Sequence, residues 1–151
     1  MSIRKNPDPS ALGLENYNYP DKFGEMLGYK FLQADLVQHT AVVGLEVRED
    51  HLSPAKRVHG GVISAFFDVA FGAAVFTTLG PKDFCSTVEL KVNYFRPIEL
   101  GDKLRAETRV VFRGKKLCVL NGFIYREGDQ EPVSMATATF NIVAANPDKK
   151  R

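Results

Sequence analysis

Residues 58–69 read VHGGVISAFFDV and begin a run of 24 residues that is almost without charge. From Val58 to Pro81 the only side chain certain to be charged in water is Asp68. His59-Gly60-Gly61 and Gly80-Pro81 are start and stop signals for one helix of about five turns, running from His59 to Thr78. A helix this apolar has to be covered nearly all round. An unpaired carboxylate buried within it costs roughly several kcal/mol, so Asp68 is paired, protonated or used.

The apolar run 62–79 has 18 residues, the lower limit for crossing a bilayer. Asp68 near its centre costs about 2.5–3.5 kcal/mol on insertion, which favours a helix buried inside a soluble fold. The whole chain agrees: 151 residues, 44% hydrophobic and 25% charged, are those of one ordinary globular domain. A net charge of +2 is too small to make nucleic acid or an anionic membrane the main partner. No Arg-rich block with interleaved aromatics and no helix-turn-helix pattern is present. Two cysteines, Cys85 and Cys118, and three histidines without ligand spacing imply neither a disulfide framework nor a metal site. Residues 1–20, rich in Pro, Asn and Asp, lack the apolar core of a secretory signal and are expected as a tail. A reducing cytoplasm is the expected compartment. The domain is expected over 21–145, with a solvated tail at 146–151.

On the N-terminal side of the helix, 21–28 suits one or two helical turns, while 29–37 and 40–48 are strand-like and joined by a turn at Gln38 and His39. A loop at 49–58 carries Ser53-Pro54. After the helix come strand segments at 86–95, 102–112, 116–126 and 133–143, separated by ELGD, RGKK and EGDQE. One long apolar helix among short-looped strands predicts an α+β arrangement, an antiparallel sheet curled around the helix.

On a helical wheel Gly61, Ser64, Ala65, Gly72 and Val75 fall within about 60° of Asp68, and Phe71 sits at the edge of this small-residue stripe. Ile63, Phe66, Phe67, Ala70 and Ala74 form the face for the sheet. Two glycines at the helix start leave N–H groups at the positive end of the helix dipole, suited to an oxyanion or carbonyl oxygen. Gly60 and Asp68 lie eight residues apart, about 12 Å along one helix, so one reacting carbon cannot touch both. If both serve one reaction, they come from different subunits of a two-fold dimer with antiparallel helices. The plainer alternative gives Asp68 a capping or structural hydrogen bond.

HLSP, VHGGVISAFFDVA, VELKVNYFRP and SMATATF, in this order over about 25–144, resemble the hotdog-fold thioesterases, in particular the PaaI-like acyl-CoA thioesterases. The resemblance implies a hotdog fold, dimers often paired into homotetramers, and hydrolysis of a fatty-acyl or aryl-acyl coenzyme A. It implies that Asp68 activates water or attacks directly, and that the Gly60 backbone N–H polarises the thioester carbonyl, with His59 beside it and Gly61 in the substrate-binding set. Thr87 takes the place of a hydroxyl that positions the water or the aspartate. Ser53 stands where the family often has Asn, and Lys56 where it often has Gly. No cofactor is implied beyond the coenzyme A of the substrate. Lys56, Arg57, Arg96, Lys115 and Lys116 are candidates for its phosphates, although a basic hairpin tip is usually just solvated. Two other readings are an acyl-CoA-binding protein without turnover and a hotdog dehydratase or hydratase. Asp68, Gly60 and Thr87 argue against the first, and the absence of an evident His–acid pair argues against the second.

Overall fold

The computed structural model describes residues 21–80 and 83–143, so the expected tails at 1–20 and 146–151 lie outside the described residues. The elements are α1 (Lys22–Leu27), β1 (Lys30–Asp35), β2 (Thr40–Glu46), a 3-10 turn (Glu49–His51), α2 (Gly60–Phe76), β3 (Phe84–Tyr94), β4 (Lys103–Arg113), β5 (Leu117–Arg126) and β6 (Ser134–Val143). All strand pairings are antiparallel, in the order β1-β2-β4-β5-β6-β3. Alternation along β2, β5 and β6 turns one face of this sheet onto α2. This is the α+β arrangement expected, with every predicted strand present.

Phe66, Phe67 and Phe71 are fully buried between helix and sheet, and Phe67 stacks on Phe71 at 5.7 Å. Gly122 of β5 makes room for them: a methyl there would lie 2.8 Å from Thr108 Cγ2 and 3.1 Å from Phe71. Thr108 of β4 donates its hydroxyl to the Ala70 carbonyl at 2.9 Å, a buried tie from sheet to mid-helix.

The helix ends two residues earlier than expected, at Phe76, because the Thr77 and Thr78 hydroxyls turn back onto the carbonyls of Ala74 and Val75 (2.6 and 2.7 Å). Val75, placed by the wheel on the Asp68 stripe, is instead fully buried. Just past this end of α2, His39 and Arg113 hydrogen-bond to Thr77 and Thr78. Phe71, at the stripe's edge, goes wholly to the core.

β3 is an edge strand, and its pairing with β6 slips between Thr87 and Glu89, which leaves Val88 as an extra residue. Before the bulge Cys85 and Thr87 face the helix; after it Leu90, Val92 and Tyr94 do.

Candidate active site

The start of α2 is held by its own N-cap. His59 has extended backbone (φ −64°, ψ 135°), and its Nδ1 accepts from the Gly61 N–H at 2.9 Å. The Val62 N–H donates to the His59 carbonyl, and the His59 N–H to the carbonyl of buried His51, each at 2.9 Å. Among the described residues, no group accepts from the Gly60 N–H. His51 anchors the loop in turn. Its Nδ1 accepts from the Arg48 N–H at 3.1 Å, so Nε2 carries the proton and donates to the Leu27 carbonyl at 3.0 Å.

Between these histidines the chain makes a tight turn: Ser53 N–H donates to the Arg57 carbonyl (2.7 Å) and Lys56 N–H to the Ser53 carbonyl (2.9 Å). Ser53 is half-buried in the strap just ahead of Gly60, while Lys56 and Arg57 are exposed. Lys56 has φ 58°, the left-handed conformation that a glycine adopts freely. A side chain there costs roughly 1–2 kcal/mol, partly offset by the greater freedom of glycine in the unfolded chain. Lys56→Gly is expected to raise stability in urea unfolding by about 0.5–1 kcal/mol.

Asp68 lies mid-helix. Thr87 of β3 donates its hydroxyl to Asp68 Oδ1 at 2.6 Å, and the bulge one residue later sets that aim. The carboxylate is half-buried rather than sealed in, because the stripe around it is open: Gly61 is exposed, and Ser64, Ala65 and Gly72 are partly so. A methyl on Gly72 would meet nothing within 4 Å. Thus the anomaly of a lone charge in an apolar helix resolves into a paired carboxylate on an uncovered face.

Cys85, two residues before Thr87, reports on this charge. Burial, with the Asp68 carboxylate as the second cause, pushes its thiol up from 9.0 to about 11. The unfolded chain therefore loses this proton near pH 9 and the folded chain near pH 11. Stability is expected to fall across that window by about 1–2 kcal/mol, discounted for partial exposure, and Cys85→Ala to flatten the loss in urea titrations at graded pH.

At the other end of α2, His39, Thr77, Thr78, Leu79, Arg113, Gly114 and Lys115 line an open cleft of about 770 Å³. Thr77 Oγ1 accepts from His39 Nδ1 (3.1 Å) and Thr78 Oγ1 from Arg113 Nε (3.0 Å), so the helix end orients both basic groups. Lys115 joins them there, whereas Lys116, also exposed, is not among the lining residues. Thr77 lies nine residues beyond Asp68, about 13 Å along the helix. Arg96 is exposed just past β3.

The structure thus joins Asp68 to Thr87 and His59 to Gly61, and within one chain it keeps these two groups apart. Tyr94, which is not among the residues expected from the sequence, donates its hydroxyl to the Gly60 carbonyl at 3.0 Å and meets Ser64 Oγ at 2.8 Å. Arg113 is likewise outside the expected set, and the sequence marks His39 only as part of a turn. A polar aromatic among the inward residues Leu90 and Val92 was the available signal for Tyr94.

A family model described as the thioesterase superfamily matches residues 55–133, more than half of the chain. The chain is 32% identical to a mutant of the phenylacetic acid degradation protein PaaI of Thermus thermophilus; the match covers 80% of this chain and 98% of that one, with a TM-score of 0.71. PaaI of Escherichia coli shares the fold at a TM-score of 0.79 and 22% identity, over 92% of this chain and 99% of its own. A Pseudomonas aeruginosa protein whose name proposes an esterase is 27% identical over 118 residues, 78% of this chain and 86% of its own. With its antiparallel sheet around one long helix, the hotdog fold, this chain belongs to the thioesterase superfamily, in its PaaI-like branch.

Proposed function

We propose that the protein hydrolyses acyl-CoA thioesters to the free acid and coenzyme A. The observation that carries this reading is Asp68, held by Thr87 at 2.6 Å on an uncovered helix face. Asp68 takes a proton from water as the water oxygen bonds to the thioester carbon. The carbonyl oxygen gathers negative charge, stabilised by the Gly60 N–H, a service typically worth about 10²–10³ in rate. The C–S bond then breaks, the carbonyl re-forms, and the departing thiolate takes up a proton. The alternative in which Asp68 attacks directly uses the same groups and passes through an acyl anhydride. The scheme draws on no metal or redox cofactor.

The two half-sites, about 12 Å apart on one helix, come together when a second copy packs α2 against α2 in the opposite sense. Two features favour such a dimer: the small, open stripe and the unpaired edge of β3, where Val88 is 60% exposed. Pairing of dimers into tetramers and a cytoplasmic setting complete the reading. The substrate phosphates find basic partners in the cleft of His39, Arg113 and Lys115, and in exposed Lys56, Arg57, Arg96 and Lys116. Ser53, with one hydroxyl in place of an amide, and His59, which directly precedes Gly60, complete the proposed set.

A panel of alkyl- and aryl-acyl-CoAs, followed for free thiol and for double-bond absorbance, tests the assignment. Thiol release is the expected result. Binding with neither signal, or an absorbance change without thiol, would overturn it.

A further inference from the structure

The hydroxyl of Tyr94 is engaged twice at the start of α2: it donates to the Gly60 carbonyl at 3.0 Å, and Ser64 Oγ donates to it at 2.8 Å. Packing does not explain this placement, because Tyr94 is 54% exposed and lies outside the buried core. The Gly60 carbonyl and the Gly61 N–H belong to one planar peptide unit. Tyr94 holds the oxygen end of that unit, and His59 Nδ1, at 2.9 Å, holds its N–H end. The preceding unit, which carries the Gly60 N–H, is held at its own oxygen end, where the His59 carbonyl accepts from the Val62 N–H. Gly60 therefore sits between two clamped planes, although a glycine pair is the most conformationally free sequence a helix start can have. A donor aimed before the charge develops needs no reorganisation at the moment of reaction.

We propose that Tyr94 is a positioning residue: its hydroxyl, relayed from Ser64, fixes the Gly60–Gly61 peptide and so holds the direction of the Gly60 N–H. This rests on the assignment of that N–H as the oxyanion donor. The alternative is a simple tether between β3 and the helix.

The test is Tyr94→Phe in the full-length protein, which keeps the ring and removes only the hydroxyl. Backbone ¹⁵N relaxation reads Gly60 and Gly61, and thiol release from a hydrolysed acyl-CoA gives kcat and KM. The order parameters of both glycines are expected to fall from about 0.85 towards 0.6. kcat is expected to drop about 10-fold with KM within about twofold, because only the transition state is affected. Ser64→Ala, at a partly exposed position that tolerates it, is expected to give a smaller effect in the same direction. Unchanged order parameters overturn the proposal whatever the rate. Loosened glycines with unchanged kcat also overturn it, leaving only the tether. If wild type releases no thiol, the hydrolytic assignment fails instead, and the relaxation data alone then decide the role of Tyr94.

Discussion

Asp68→Asn is expected to lower kcat for acyl-CoA hydrolysis by about 10²–10⁴, the usual worth of a positioned proton acceptor. The substitution is close to isosteric, and its amide oxygen can still accept from the Thr87 hydroxyl now 2.6 Å from Asp68 Oδ1. What it cannot do is take a proton from water or attack a thioester. The position is half-buried with an open face beside it, so the fold has no reason to fail. Assembly, checked by sedimentation, is expected to match wild type, as is thermal unfolding within a few degrees. Asp68→Ala gives the same loss with the hydrogen bond removed as well. Wild-type rates in both variants would remove Asp68 from the chemistry.

Gly60→Pro is the matching experiment on the other half-site, with an expected loss of about 10²–10³ in kcat. Gly60 is the first residue of α2, where proline is favoured and where its missing N–H breaks no helical bond. The preceding His59 is extended, as a residue before proline has to be, and a new Cβ would stay 3.4 Å from the Tyr94 hydroxyl, an ordinary contact. The substitution thus deletes one donor with little other disturbance. Mixing Asp68→Asn and Gly60→Pro chains after joint refolding then reads the geometry. If each site draws its N–H and its carboxylate from different chains, a mixed dimer holds one intact site and one doubly damaged one. About half the wild-type activity per mixed dimer is expected from two inactive parents. No recovery, with dimers exchanging freely, would place both groups in one chain's site and contradict the 12 Å implied by eight helical residues.

Much of this molecule is legible in the primary structure because its signals are local. The apolar run with its glycine and proline boundaries marks α2, and alternation between polar turns marks the four strands after it, each within two residues of its observed ends. Asp68 stands out because a charge in that setting demands an account. Other features depend on segments distant in sequence. The basic cleft draws on positions 39, 77–79 and 113–115, which only the closed sheet brings together. Val75 is buried in the common core, whose other members a wheel drawn for one helix does not contain. Tyr94 was hidden for a different reason: it lies seven positions beyond Thr87, and strict two-residue alternation would send these side chains to opposite faces.

That offset has a consequence for how β3 can change. Between Thr87 and Tyr94 the side chains can vary, but the number of residues cannot. One residue fewer or more would shift the phase of the strand's second half, turning either the partner of Asp68 or the clamp on Gly60 outward. The spare residue at Val88 therefore acts as a spacer of fixed length. It keeps two half-sites, served from one strand, in step with a single helix.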